Sequence, residues 1–173
     1  MPERRTANLL GALVTALQDE LSTATERAAA HGAAFPAALV SIHWGPGLSI
    51  EALRRILGLT HSGTVRLLDR LEADGAVARN TGRDGRTVAL TLTAAGRSQV
   101  RAILGSREQV LSDALALLTR GEQGQLRQLL EKLLGGLTRD RDHSDHICRL
   151  CDEESCPDER CPVGCAVRSP ADA

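Results

Sequence analysis

Apolar residues recur at helical spacing in several stretches of this 173-residue chain, and the pattern breaks sharply in between. Residues 6–31 place Leu10, Leu13, Val14, Leu17 and Leu21 on one face of a helix that stops near His31 and Gly32. A second, shorter apolar segment opens at Pro36 and ends at the Gly45-Pro46-Gly47 break. Two short helices then follow closely. Ser49 can cap the first, in which Ile50, Leu53, Ile56 and Leu57 share a face. Gly58 and Thr60 interrupt it, and a new helix begins at His61 and ends at Gly75, with Val65, Leu68 and Leu71 marking its inward side and Leu67 beside them. Two helices joined by a turn of a few residues form a helix-turn-helix.

The period then changes from 3.6 to 2. "AVAR" and "TVALTLT" read as strands, with Val88, Leu90 and Leu92 alternating against Thr87, Ala89 and Thr91. The Gly- and Asn-containing turn "NTGRDG" between them predicts a β-hairpin. Thr93 caps a long helix with a stripe from Val100 to Leu118, and a further stripe runs from Leu126 to Leu137. The apolar pattern ends at residue 138. We therefore expect a mainly α fold with a small β-hairpin wing: a winged helix-turn-helix domain over 1–138, with a reading head at about 36–92, dimerisation helices at about 6–31 and 93–138, and a Cys-rich tail over 139–173.

Composition narrows the function. Phe35 and Trp44 are the only aromatic residues, so the core is aliphatic and favours packed helices. A net charge of −1 excludes a uniformly basic nucleic-acid binder, so any basic face must be local. One is present: residues 49–101 carry nine arginines against five acidic residues. No window approaches a membrane span, and the apolar run near the N-terminus is followed by Asp19 and Glu20 rather than a cleavage site, which predicts a cytoplasmic protein. No Ser/His/Asp or paired-carboxylate constellation appears, and no βαβ pattern surrounds the cysteines, so an enzyme is not expected.

In a winged helix the second helix offers its side chains to base edges and the hairpin reaches the neighbouring backbone or minor groove. His61, Ser62, Thr64, Arg66 and Arg70 fall on the expected outward face of that helix, and Arg83 and Arg86 flank Asp84 at the hairpin tip. A Gly-rich tip carrying arginine suits insertion into a minor groove.

The stretch "LLDRLEADG", the wing Asp84-x-Arg86 and "LTLTAAGR" resemble the MarR family of winged-helix transcription regulators over roughly residues 6–138. The resemblance implies a homodimer formed by the long terminal helices. It further implies binding to a pseudo-palindromic double-stranded DNA operator, with repression as the default. By motif position it carries over Ser62, Thr64 and Arg66 as helix contacts and Arg86 as the wing arginine, with Arg70 and Arg83 as subsidiary contacts; His61 follows from its place at the helix start. A small-molecule or redox effector is open.

A plain member of that family would end after the last long helix. Here the chain continues into a tail holding all five cysteines, Cys148, Cys151, Cys156, Cys161 and Cys165. A C-x2-C pair brings two sulfurs to one ion, and two further thiolates complete a tetrahedral zinc site, for which Cys148, Cys151, Cys156 and Cys161 are the expected ligands. An iron–sulfur cluster also takes four cysteines. A thiol–disulfide switch without metal and a metal-knuckle adaptor gripping another protein are further readings. Cys165 is the odd thiol, and His143 and His146 are expected to stay outside the coordination shell. A metal-held tail lying on the dimer would bias the spacing of the two recognition helices.

Overall fold

Phe35, Leu39, Ile42, Leu53, Leu68, Leu71, Leu90 and Ile103 are shut off from solvent, and together they define one aliphatic core. In the computed structural model, which describes residues 3–29, 32, 34–82, 87–156 and 159–168, these side chains come from elements lying side by side. Helix α1 (Arg4–Ala29) packs along α5 (Ala94–Leu115), while α2 (Ala34–Trp44), α3 (Ile50–Leu57) and α4 (His61–Ala73) close around the middle. Burying each leucine of this core contributes about 1.5–3 kcal/mol. Among the described residues no helix is long and apolar enough to cross a membrane.

The helix-turn-helix is fixed by its caps. Ser49 accepts the Ala52 N–H at 3.1 Å and starts α3; Gly58 ends it in the left-handed conformation (φ 64°), where a side chain would be strained. Two residues on, Thr60 accepts the Gly63 N–H at 3.1 Å and starts α4. The expected interruption is thus an ordered stop-and-start. The inward face of α4 differs from the expected one by a residue: Thr64, Leu68 and Leu71 are buried, whereas Val65 is only half-buried.

The hairpin forms from β2 (Val77–Thr81) and β3 (Val88–Leu92), antiparallel with Val77 opposite Leu92 and Thr81 opposite Val88. A third strand, β1 (Leu48–Ser49), pairs with the other edge of β3. At two residues it is too short to show a period, which hid it from the sequence. Helix α5 ends before Leu118, and α6 (Arg120–Leu137) begins at Thr119 with a capping box to Glu122. The tail also folds: Asp140 caps α7 (Arg141–Cys148), and α8 spans Pro162–Val167.

Candidate nucleic-acid interface and cysteine tail

Helix α4 buries one face and exposes the other. His61, Ser62, Arg66 and Arg70 are exposed, as the sequence predicted. Arg66 and Arg70 make no ion pair among the described residues, and both share a cleft with Asp69. Thr64 does not belong to this face. It is fully buried, its hydroxyl donates to the Thr60 carbonyl at 3.0 Å, and it cannot reach a ligand without opening the core. Its polarity suggested an outward position, but the local hydrogen bond lets a threonine sit inside. Arg83 and Arg86 lie outside the described residues.

One arginine that sequence reasoning missed organises the wing. Arg79 of β2 reaches Asp69 at 2.6 Å and Glu72 at 3.5 Å, both on α4. It therefore ties the wing to the exposed helix and neutralises acids that would otherwise lie beside it. Arg54 is likewise committed, donating to both carboxylate oxygens of Glu51 at 2.9 and 2.7 Å. Arg54 and Arg79 are thus neutralised, while Arg66 and Arg70 on α4 are not held in ion pairs among the described residues.

The tail is docked at both ends. Its first helix, α7, lies along α3. The His146 imidazole donates from Nδ1 to the Ile56 carbonyl at 2.7 Å, satisfying an orphan acceptor in the last turn of α3. Trp44 Nε1 donates to the Cys151 carbonyl at 3.1 Å, and Leu150 packs against the main core. Arg55 approaches Asp142 at 3.4 Å on the exposed rim, where such a pair adds about 0–1 kcal/mol. The second helix, α8, packs on α6, with Val163 buried and the Pro162 carbonyl within 3.7 Å of where a Cβ on Gly135 would stand.

Cys148 ends α7 and Cys161 caps α8, and the Cys148 thiol is within hydrogen-bonding reach of both Cys151 and Cys161. Cys148 and Cys151 titrate as a pair. The hydrogen bond from Cys148 lowers Cys151 to about 7, against the opposing effect of burial and with help from Arg107. Cys148 keeps its proton, its value raised first by that same bond and then by burial. Cys156 is exposed, and the Cys165 sulfur accepts from Arg168 at 3.0 Å. Among the described residues no three His, Cys, Asp or Glu side chains already surround one point as a metal cage. His143 accepts from the Arg139 backbone and side chain through Nδ1, both at 3.3 Å.

A capped helix-turn-helix, a hairpin braced to its second helix and long flanking helices define a winged helix-turn-helix protein. Residues 37–87 match the profile of the MarR family. This chain resembles that family over its reading head. It is 36% identical over 89 residues to the HTH-type transcriptional repressor Rv2887 of Mycobacterium tuberculosis, a match spanning 51% of this chain and 64% of that protein. The crystal structure of Rv2887 in complex with DNA superposes with a TM-score of 0.61 at 29% identity, covering 73% of this chain and 95% of that one. The YusO protein of Bacillus subtilis has the same fold, with a TM-score of 0.65 at 23% identity over 77% of this chain and 96% of that one.

Proposed function

We propose that this protein is a sequence-specific transcription repressor that binds double-stranded DNA as a homodimer. The observation that carries this reading is the exposed face of α4, where His61, Ser62, Arg66 and Arg70 face solvent on a helix anchored in the core. That face would enter the major groove, with the wing carrying Arg83 and Arg86 alongside. MarR regulators are DNA-binding transcription factors rather than enzymes, and the relative crystallised with DNA supports the reading.

The dimer is supported by two apolar faces that the single chain leaves uncovered. Leu9, Leu10, Leu13 and Val14 of α1 are exposed, and so are Leu129, Leu130, Leu133 and Leu137 of α6, the last at 64%. Contiguous aliphatic surface of this kind marks a protein interface, and pairing two chains also supplies two recognition helices. Rv2887 has also been crystallised with salicylic acid at 28% identity and a TM-score of 0.58, over 76% of this chain and 98% of that one. A small-molecule effector is the corresponding proposal here. An open cleft of about 660 Å³ is lined by Phe35, Leu67, Arg66, Arg70 and Asp69, so a small carboxylate would meet an apolar wall and two arginines beside one acidic side chain.

The tail is proposed to hold a metal through Cys148, Cys151, Cys156 and Cys161, zinc being favoured over an iron–sulfur cluster. Support comes from the contacts of Cys148 with Cys151 and Cys161. A tetrahedron of sulfurs about 2.3 Å from one ion needs neighbouring thiolates this close. A cluster inserts iron and sulfide between its cysteines and spreads them apart.

The DNA-reading proposal separates two neighbouring residues of α4. Arg66→Ala should weaken operator binding about tenfold and flatten its salt dependence. Thr64→Val should leave the affinity of the folded protein unchanged while costing about 1 kcal/mol of stability. Equal losses of affinity in both variants, at equal folded fraction, would remove α4 as the reading element.

A further inference from the structure

The cysteine tail is the lateral connection between the reading head and the last long helix. Among the described residues α6 packs on α8 more extensively than on any other element, and α8 in turn contacts α7. Helix α7 is fixed to the head through His146 on Ile56, Trp44 on Cys151 and Leu150 in the core. The two halves of the tail are thus held by different parts of the protein: α7 by α3, and α8 by α6. Each half buries little side chain of its own. Ser144 is the buried residue of α7, and Val163 that of α8. Between them run residues 149–160, which include Asp152, Glu153, Glu154 and Glu159 and too few apolar groups to form a core of their own.

The thiols stand at this joint. Cys148 ends the head-docked half and Cys161 caps the half docked on α6, where α7 meets α8, although among the described residues the thiols do not yet surround one point. Cys156 lines the same groove along α6 as Pro162, the first residue of α8. Cys165 is turned toward Arg168 and the Glu159 carbonyl.

We infer that Cys148, Cys151, Cys156 and Cys161 close around a single zinc-class ion that fastens α7 to α8, and that loading this site sets how the recognition helix is held relative to α6. The inference rests on the metal reading above for the site and on the DNA-binding reading for its effect on the operator. Closing the site takes rotation of thiol side chains and of the loop carrying Cys156, while α7 and α8 stay where they are docked. Each thiol that joins gives its proton to solvent, so Zn2+ enters against proton release and the four-thiolate site keeps a net charge of −2. Arg107 and Arg149, both close enough to Cys151 to favour its thiolate, offset part of that charge. With the ion in place, the head and α6 move as one body. Without it, they are joined only by weak packing and the chain itself.

The test uses the full-length chain, stripped of metal under reducing conditions and reloaded with Co2+ and then Zn2+. One tetrahedral thiolate-bound Co2+ per chain is expected, displaced by Zn2+. The binding should be lost in Cys148→Ser and Cys161→Ser and retained in Cys165→Ser. Metal removal from the wild-type chain, which avoids any folding defect of a variant, should speed amide exchange in α7, in α8 and at the end of α3. It should leave α5 unchanged and weaken operator binding about tenfold. Retention of the ion in Cys161→Ser would overturn the inference, as would iron and sulfide in the purified protein. So would metal loss that leaves exchange at the α3–α7 contact unaltered. Failure of the loaded protein to bind DNA would instead sink the proposed function, leaving the metal and exchange results to stand.

Discussion

Gly96 has no room for a side chain. A Cβ there would stand 2.1 Å from the Ala76 carbonyl oxygen, which also accepts the Thr93 N–H at 3.0 Å. This close approach presses the start of α5 against the junction of α4 and the wing. In an exposed helix, replacing glycine by alanine stabilises by about 1 kcal/mol. Here the added methyl meets backbone, so Gly96→Ala should destabilise by about 2–3 kcal/mol, read as a lowered midpoint of chemical denaturation at unchanged slope. A neutral or stabilising result would mean that α5 does not sit so close to Ala76. The same scale explains which site residues the sequence revealed. His61, Ser62, Arg66 and Arg70 were legible because the helical period sets apolar and polar positions apart. Thr64 was misplaced because its hydroxyl is satisfied by its own helix. Arg79 was invisible because its partners, Asp69 and Glu72, become neighbours only when the hairpin folds back.

Among the elements, start signals were more legible than ends. Ser49 and Thr93 cap the helices assigned to them, and each does so through its hydroxyl. The start of α6 is set by Thr119, which the leucine stripe alone did not mark. Glu122 accepts from the Thr119 hydroxyl at 2.7 Å and from its N–H at 2.8 Å, completing a capping box. The Thr119 hydroxyl, and then its backbone N–H, hold the Glu122 carboxyl below the usual carboxylate range. The folded state therefore favours the ionised form. Its contribution is present above the pKa of the unfolded chain and is lost as pH falls through the lowered value. Thr119→Ala should cost about 1 kcal/mol near neutral pH. In thermal melts the gap between variant and wild type should narrow once the pH drops below the carboxylate range. A gap that stays constant on acidification would show that Glu122 does not complete the cap. The element furthest from expectation is the tail. Its cysteines predicted a metal site and marked no helix, yet α7 forms and docks through His146, Trp44 and Leu150, and α8 forms and packs on α6. The single tryptophan beside the Gly45-Pro46-Gly47 break was the available signal, since a buried indole N–H needs an acceptor.

For the whole molecule, the sequence conveyed the winged helix because its period changes in the right order, from 3.6 to 2 and back. What it could not convey was how distant segments meet: that β1 closes the sheet, and that the tail spans from α3 to α6. Leu48 pairs with Leu90, and Trp44 meets the Cys151 carbonyl across 107 positions, and no local pattern encodes such contacts. Two chains paired through the exposed leucines of α1 and α6 would present two copies of α4 side by side, each braced by Arg79 to its wing and by the tail to α6.

The most direct measurement is selection from a randomised duplex pool by the full-length protein at physiological salt, followed by sequencing of the bound DNA. A dimer reading DNA through α4 predicts enrichment of a two-fold symmetric site whose half-site centres lie one helical turn, about 10 base pairs, or a small multiple of it apart. Enrichment of an unsymmetric single half-site would contradict the dimer, and no enrichment over the starting pool would contradict sequence-specific binding altogether.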